Sequence, residues 1–367
     1  MLEIIGVKNF KSLKDITYYS KNLNLLVGLN GMGKSSLIQV LLLLKQSFFL
    51  EGQLVLKGML TDIGKGKDAL YQFAEDEFVS IAFKLKNYNL QKIQFCCKQE
   101  SNYLGVSTTE DIIKKESSLM ELSNNLKNFQ YISADRIIPT SLHETSINSI
   151  EEGNIGIRGE FAIHFLYSNG NRMKVDKKLK HEKTAELNLL SQVNGWLGEI
   201  SPGANLVISE IPNLDKLLLD FQFEKGYGRT SSYKPQNVGY GLSFAIPIIV
   251  TLLTAKSGKI IIIENPEAHI HPRGQAELGK LIALAASTGA QLFIETHSDH
   301  IINGIRVAVK ENLINKNDIN ISYFDKFTNK DEQYTTITNL KIDSNGELNE
   351  YPKGFLDEWN NQLLRLI

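Results

Sequence analysis

The run from Gly28 to Ser36, GLNGMGKSS, combines residue types and spacing that suit phosphate binding, because it fits G-x-x-x-x-G-K-[ST] at every fixed position. The glycines let the backbone curl so that its amides face a phosphate group, while the Lys34 ammonium can reach the β and γ oxygens and the Ser35 hydroxyl can ligate Mg²⁺. An apolar run precedes the loop and another follows it, which predicts strand, turn and helix in that order. The candidate nucleotide-binding residues are Asn30, Gly31, Gly33, Lys34, Ser35 and Ser36.

A second candidate site is the run IIIIENPEAHIHP, residues 260–272. Four isoleucines predict a buried strand that ends at Glu264, where a nucleotide hydrolase places its magnesium ligand. Asn265 follows, at the position where the water-activating glutamate of many such enzymes stands. A carboxamide can orient water but cannot accept its proton at neutral pH. Taken alone, Asn265 therefore predicts slow turnover.

Two other carboxylates are candidates for the missing base. Glu267 lies in the same run, and Glu295 lies two residues before His297 on the next predicted strand. Because residues two apart on a strand face the same side, Glu295 and His297 can point toward one phosphate end. The alternative is that Glu267 caps or supports the turn and Glu295 only positions its neighbours, and the sequence leaves both readings open.

A glycine-rich run, VGYGLSF at residues 238–244, stands immediately before a predicted helix. The N-terminus of a helix, with glycine amides and a serine hydroxyl, can bind a phosphate group. An ordinary turn before a core helix is the alternative. The candidate residues of this run are Gly239, Gly241 and Ser243.

The elements that must position these residues alternate between helix and apolar strand over residues 236–325, as in a parallel α/β sheet. Residues 77–99 predict an antiparallel hairpin turning near 87–89, and residues 110–129 and 184–199 predict helices. In the second of these helices Leu187, Leu190, Val193 and Leu197 have helical spacing. Near the end, the strands expected at 319–325 and 334–343 precede an amphipathic helical face made of Phe355, Leu356, Trp359, Leu363 and Ile367.

The composition of the 367 residues excludes several classes of protein. With 40 basic and 41 acidic residues, a strong overall attraction to nucleic acid or to an anionic membrane is not expected. The apolar runs are too short or too interrupted to span a bilayer. The adjacent Cys96 and Cys97 would point to opposite faces of an extended chain, so a disulfide between them is not expected. Together with the lack of a secretory signal, these features predict a cytoplasmic protein.

Six segments together resemble one family: FKSLKD, GLNGMGKSS, YISADRIIP, NVGYGLSF, IIIIENPEAHIHPRGQAELG and IETHSDHIINGIR. They are similar to the RecF-, SMC- and OLD-like branch of ABC-type ATPases, and more narrowly to small bacterial AAA-family ATPases in which the spelling E-N-P-E is familiar. The resemblance gives Glu264 and Glu267 the roles of working acids, His297 that of a sensor of the γ-phosphate, and Ser35 and Glu264 those of magnesium ligands. Arg136 in YISADRIIP either contacts phosphate or pairs with Asp135 or another acid.

The resemblance implies an α/β fold: an ABC-type P-loop ATPase head with a mixed β-sheet core, an antiparallel β lobe and a helical insertion. The expected division is a core at 1–75 plus 201–325, an inserted lobe at 76–200 and a C-terminal segment at 326–367. It further implies a homodimer or higher homo-oligomer that closes head to tail on ATP and Mg²⁺, and an effector partner such as a nuclease or toxin, as in antiphage defence. DNA is a further candidate partner, and a membrane is not.

Two further features of the sequence bear on whether the protein has a nuclease domain or a separate metal site. After His297 only about 70 residues remain, so a TOPRIM nuclease domain is not expected. His269 and His271, with Asp299 or His300, offer metal-binding side chains, but the simpler reading is a loop that meets the opposing subunit. The function expected is a slow Mg²⁺-dependent ATPase that controls a partner, and the alternative is an ATP-gated clamp with negligible hydrolysis.

Overall fold

A computed structural model of the chain describes residues 1–47, 53–107, 122–124 and 126–366. These residues form two compact units. The first comprises 1–128, 319–341 and 348–367, and the second comprises 129–318 and 342–347.

The strands of the described residues are β1 (Leu2–Phe10), β2 (Leu13–Tyr19), β3 (Leu23–Val27), β4 (Gln53–Val55), β5 (Phe78–Leu85), β6 (Gln91–Cys96), β7 (Tyr103–Val106), β8 (Phe129–Ile132), β9 (Leu142–Glu144), β10 (Ala204–Glu210), β11 (Lys216–Lys225), β12 (Gly228–Arg229), β13 (Ile260–Glu264), β14 (Gln291–Glu295), β15 (Ile319–Thr328) and β16 (Gln333–Leu340). The α-helices are α1 (Lys34–Ser47), α2 (Gly66–Ala69), α3 (Ile147–Glu151), α4 (Ala162–Asn169), α5 (Leu189–Ile200), α6 (Tyr240–Leu253), α7 (Pro272–Ser287), α8 (Asp299–Lys310) and α9 (Glu358–Leu364). Short 3₁₀ helices occupy Lys177–Leu179, Pro235–Asn237 and Lys316–Asp318.

The first unit contains an antiparallel sheet in the order β2-β1-β5-β6-β7-β4. The expected hairpin is confirmed: β5 and β6 pair in antiparallel fashion, and Asn87 in the turn between them has a positive φ of 69°. Because β5 also pairs with β1, the strands expected in an inserted lobe share one sheet with the first strands of the chain. The boundaries of the compact units therefore differ from the division expected at residues 75 and 200.

The strand that leads to the phosphate loop, β3, is buried on both faces along its whole length. It lies parallel to β15, which pairs in antiparallel fashion with β16, so the two strands predicted near the end of the chain are confirmed. Helix α1 follows the loop and buries most of its residues, among them Leu37, Ile38 and Val40. A central strand and a core helix thus hold the loop at both ends.

The second unit carries the parallel strands β8, β13 and β14 in that spatial order. The predicted alternation of helix and strand over this region is confirmed by α6, β13, α7, β14 and α8. Residues Ile260 to Ile263 are almost completely buried, which explains the unbroken isoleucine run. In the register of β13 and β14, Glu264 stands beside Glu295.

The predicted helix at 184–199 begins later than expected. Helix α5 starts at Leu189, after Asn188, whose side chain accepts a hydrogen bond from the N–H of Ser191. This N-cap fixes the start because Asn satisfies an amide that the first turn of a helix leaves open. The buried residues of this helix are Leu189, Gln192, Val193, Trp196 and Leu197. Leu187 lies outside the helix, and Leu190 lies inside it but is only half-buried.

The predicted C-terminal helical face is also wrong in part. Leu356 has a positive φ of 59°, and helix α9 begins only at Glu358. Phe355 is buried and packs edge-on against Tyr323 at 5.7 Å between ring centroids, whereas Leu363 is 43% exposed. The side chains of Trp359 and Ile367 lie outside the described part of the chain, as does most of the helix expected at 110–129, of which 122–124 and 126–127 are helical. No helix among the described residues is long and apolar enough to cross a membrane.

Candidate functional site

The phosphate loop is a glycine-lined curve that contains a buried ammonium group. Gly28, Gly31 and Gly33 all have positive φ values, of 131°, 78° and 97°. The side chain of Lys34 is 3% exposed, and its Nζ donates hydrogen bonds to the carbonyl oxygens of Gly28 at 3.0 Å and Leu29 at 2.8 Å. The curled backbone and the enclosed cation are what a polyphosphate requires, so these residues fit the nucleotide that the sequence predicts.

The candidate residues of this loop differ in exposure. Asn30, Gly31 and Ser35 are exposed, whereas Ser36 is buried and its N–H donates to the carbonyl oxygen of Gly33 at 3.1 Å. The exposed Ser35 hydroxyl is therefore the better placed of the two serines to meet a metal ion from solvent.

Two residues that the sequence did not single out hold the loop in shape. The hydroxyl of Thr335 on β16 lies 2.8 Å from the hydroxyl of Ser12 and donates to the carbonyl oxygen of Met32 at 3.0 Å. A methyl group on Gly33 would lie 2.2 Å from the Thr335 hydroxyl, so the close approach requires glycine. Ser12 belongs to the FKSLKD run, but nothing in the sequence marked Thr335, because the contact spans more than 300 residues.

At the end of β13, the side chain of Glu264 is held by the segment that follows β8. The carboxylate accepts the N–H of Ala134 at 3.3 Å, and the Tyr131 hydroxyl lies near it. Burial raises the pKa of Glu264, while these two groups and the nearby Arg136 oppose that shift. Glu264 is thus a half-buried, hydrogen-bonded carboxylate, a donor type that suits a hard cation such as Mg²⁺.

Asn265 adopts a left-handed conformation, with a φ of 44°. Its main-chain N–H donates to the carbonyl oxygen of Glu295 at 2.9 Å, which ties the turn to the neighbouring strand. Asn occupies this region of φ/ψ space far more readily than most other residues, Glu included. The backbone conformation therefore gives a physical reason for asparagine at the position where a glutamate was expected.

Both carboxylate oxygens of Glu267 accept hydrogen bonds. Oε2 accepts the hydroxyl of Thr296 and Oε1 accepts the main-chain N–H of His297, each at 2.8 Å. Glu267 therefore supports the turn that carries His297, which is the structural reading that the sequence had left open. The His297 side chain itself is exposed, whereas Glu295 is 6% exposed.

The glycine-rich run forms the start of α6, as its position in the sequence predicted. Gly239 precedes the helix with a φ of 88°, and a methyl group on Gly241 would lie 2.5 Å from the carbonyl oxygen of His269. The hydroxyl of Ser243 is buried, and no described atom lies within hydrogen-bond distance of it. Gly241 is therefore explained by close packing, and Gly239 by its backbone conformation.

The histidines of the acidic run have structural surroundings. The His269 ring packs against Phe244 at 4.9 Å and Tyr240 at 5.6 Å, and its φ is 61°. His271 caps α7, since its ring nitrogen accepts the N–H of Arg273 at 3.3 Å. Among the described residues, no group of three or more His, Cys, Asp or Glu side chains is arranged to hold a metal ion.

Comparison with solved structures identifies the fold. The protein is similar to an SMC head bound to the C-terminal winged-helix domain of ScpA, with a TM-score of 0.54 at 12% identity, covering 92% of this chain and 97% of that one. An Smc head domain with an extended coiled coil, bound to the C-terminal domain of ScpA derived from Pyrococcus furiosus, aligns with a TM-score of 0.48 at 13% identity, covering 100% and 99%. The first of these matches shows the α/β fold of an ABC-type ATPase head.

Sequence comparison adds two family matches. Residues 314–366 match a family described as protein of unknown function, DUF3696. A comparison with curated proteins finds no match. Residues 65–302 match the AAA ATPase domain, a range that begins after the phosphate loop and contains Glu264, Asn265 and His297. This range covers more than half of the chain, which therefore belongs to the AAA ATPase domain family.

Proposed function

We propose that this protein is a Mg²⁺-dependent ATPase that hydrolyses ATP slowly, dimerises head to tail on ATP and thereby regulates a partner effector. The observation that carries the proposal is the buried Lys34 ammonium inside the glycine-lined loop. Lys34 Nζ donates to the carbonyl oxygens of Gly28 and Leu29, and the oxygens of a bound phosphate would bring negative charge to this ammonium group.

Each unit contributes its own proposed residues. In the first unit, the loop residues Gly31, Gly33 and Lys34 would hold the phosphates, and the Ser35 hydroxyl would be a magnesium ligand. In the second unit, Glu264 is the proposed acidic ligand and His297 the proposed sensor of the γ-phosphate. The bound metal ion would polarise the phosphoryl group, as in other nucleotide hydrolases.

Slow hydrolysis is supported by the local geometry around Asn265. The carboxamide of Asn265 cannot take a proton from water, and both oxygens of Glu267 already accept hydrogen bonds. Glu295, next to Glu264 in the register of the parallel strands, is then the remaining acid proposed to accept that proton.

An ATP-gated clamp with negligible hydrolysis is the second candidate, and the engagement of Glu267 favours it. In this case ATP would hold a dimer closed around DNA or a protein partner without turnover. The proposed dimer contact is the start of α6, where Gly239, Gly241 and Ser243 stand at a helix N-terminus.

Steady-state phosphate release with Mg²⁺, together with oligomeric mass with and without ATP, tests these readings. We expect slow wild-type turnover, an ATP-dependent increase in mass, and loss of nucleotide binding in Lys34→Ala but not in the control Lys86→Ala, which alters an exposed lysine of the same unit. ATP affinity that survives Lys34→Ala would overturn the assignment of the phosphate loop.

The base is assigned by comparing two glutamine variants, Glu295→Gln and Glu267→Gln, with Asn265→Asp. If Glu295→Gln stops turnover and leaves an ATP-stabilised dimer while Glu267→Gln remains active, Glu295 is the base. If wild type dimerises without turnover and Asn265→Asp creates turnover, the protein is a clamp.

The effector and the setting of antiphage defence are proposed from the family resemblance. Both proposals are tested by expressing wild type or Lys34→Ala together with the neighbouring genes in bacteria and challenging the cells with phage. Protection that requires both intact Lys34 and a neighbouring nuclease or toxin gene supports the proposal, and protection that is insensitive to Lys34→Ala contradicts it.

A further inference from the structure

Arg136 is a buried arginine that binds main-chain oxygens, and it forms no ion pair with a carboxylate among the residues that the structure describes. It follows β8, is 2% exposed, and its Nη2 donates hydrogen bonds to the carbonyl oxygens of Glu264 and of Asn265, the latter at 3.1 Å. The sequence offered contact with phosphate or pairing with an acid such as Asp135. Asp135 instead forms an ion pair with Arg158 at 3.1 Å.

The two bonds from Arg136 depend on the left-handed turn at Asn265. In an extended strand, successive carbonyl groups point to opposite sides. With φ at 44°, the backbone of Asn265 leaves the strand, and its carbonyl oxygen meets the same guanidinium nitrogen as that of Glu264. Since the N–H of Asn265 bonds to Glu295, the turn is fixed on both sides.

The same short segment also holds the side chain of Glu264. Ala134 donates its N–H to the carboxylate, and the Tyr131 hydroxyl lies near it. Residues 131–136 therefore fix both the side chain and the main chain at the end of β13. A loose strand end would let the carboxylate move, and a shift of about 1 Å can lower a catalytic rate on the order of a hundredfold.

The burial of Arg136 indicates a role beyond local packing. Nε and Nη1 are buried, and no acceptor among the described residues lies within hydrogen-bond distance of them. A buried donor without a partner destabilises the folded state. A charged group kept in such a place at the end of the acidic strand is better explained by function than by stability.

We propose that Arg136 is a positioning residue for ATP hydrolysis: its guanidinium group holds the Glu264–Asn265 turn in the left-handed conformation and so fixes the direction of the Glu264 carboxylate. The claim that Arg136 affects ATP hydrolysis rests on the proposed function. Its structural part, the clamped turn, does not depend on nucleotide.

Two measurements on Arg136→Met and Arg136→Lys test this proposal. Methionine keeps the apolar stem and removes the donors, while lysine keeps the charge without the planar arrangement of donors. Arg158→Met is the matched control, because Arg158 is exposed and pairs only with Asp135 of the same segment among the described residues. The first measurement is amide hydrogen exchange of residues 264–268 in nucleotide-free protein, and the second is kcat and KM for ATP.

We expect exchange in residues 264–268 to rise by at least about tenfold in Arg136→Met, with an unchanged rate in β14 and no effect of Arg158→Met. We expect kcat to fall by about tenfold to a hundredfold with KM for ATP within about twofold, and Arg136→Lys to be intermediate. If wild type shows no turnover, the proposed hydrolysis fails, but exchange still decides whether the turn is clamped.

Three results would overturn the proposal. Exchange at residues 264–268 that is unchanged in folded Arg136→Met would show that the turn holds itself. A raised KM with unchanged kcat would place Arg136 on the nucleotide. Failure of both variants to fold would show that Arg136 is needed for the fold as a whole.

Discussion

The carboxylate of Glu267 accepts the main-chain N–H of His297 at 2.8 Å, which joins the turn after β13 to the turn after β14. The second oxygen accepts the hydroxyl of Thr296, so the whole carboxylate is engaged. A residue predicted as a candidate base therefore supports the predicted γ-phosphate sensor.

Glu267→Gln should preserve most of the activity, within about tenfold, because a carboxamide oxygen still accepts the N–H of His297 and the hydroxyl of Thr296 can turn to accept from the amide. Glu267→Ala removes both bonds and should lower kcat by on the order of a hundredfold. Parallel rate measurements on the two variants check this. Loss of activity in Glu267→Gln equal to that in Glu267→Ala would restore Glu267 as the base.

The Asn265 position separates backbone conformation from side-chain chemistry. Asn265→Gly keeps the left-handed region accessible and should leave the free energy of unfolding within about 1 kcal/mol, whereas Asn265→Val should lose about 1–3 kcal/mol because a β-branched residue is strained there. Denaturant titration measures both changes. Equal stability of the two variants would mean that the turn relaxes without a left-handed residue.

The phosphate loop offers a matched pair of glycines. Gly33→Ala combines a φ of 97° with a methyl group 2.2 Å from the Thr335 hydroxyl, whereas Gly31→Ala meets no atom within 4 Å and has only the strain of a φ of 78°. We expect Gly31→Ala to lower the free energy of unfolding by about 1–2 kcal/mol and Gly33→Ala by more. ATP affinity should fall further in Gly33→Ala, as measured by titration calorimetry. The decisive result is which variant loses more stability and more ATP affinity. A larger loss in Gly31→Ala than in Gly33→Ala would count against the loop geometry.

Lys259 at the start of β13 predicts a pH dependence of stability. Burial lowers its pKa from 10.5 to about 8, with a smaller contribution from Lys256. Because the unfolded chain keeps the proton to higher pH than the folded protein, the free energy of unfolding should rise with pH between about 8 and 10.5. This stabilisation is complete above the pKa that Lys259 has in the unfolded chain, and it is lost as the pH falls through the pKa that Lys259 has in the folded protein.

Lys259→Met should therefore raise the free energy of unfolding at pH 7 by about 1–3 kcal/mol and remove the rise with pH. Lys256→Met, at an exposed lysine three residues away, controls for the loss of one surface charge. Urea titrations at pH 7 and pH 10 make the comparison. If the free energy of unfolding of Lys259→Met still rises with pH, another group is responsible for the rise.

The sequence by itself determined the local features of this protein. The glycine and lysine spacing of residues 28–36 predicted a phosphate loop, and the isoleucine run before Glu264 predicted the buried strand that the structure confirms, because both predictions depend only on neighbouring residues and on periodicity. The order of helices and strands between residues 236 and 325 followed from the same patterns.

Contacts between distant parts of the chain decided the rest. Thr335 supports a loop 300 residues earlier, Arg136 binds carbonyl groups of residues 264 and 265, and Glu267 is engaged by the end of β14. The start of α5 and the separation of Phe355 from α9 also depended on a cap and on packing that composition does not reveal. A hydrogen bond between remote residues leaves no periodic trace in one sequence, so only the tertiary structure distinguishes a carboxylate that supports a turn from one that is free to act.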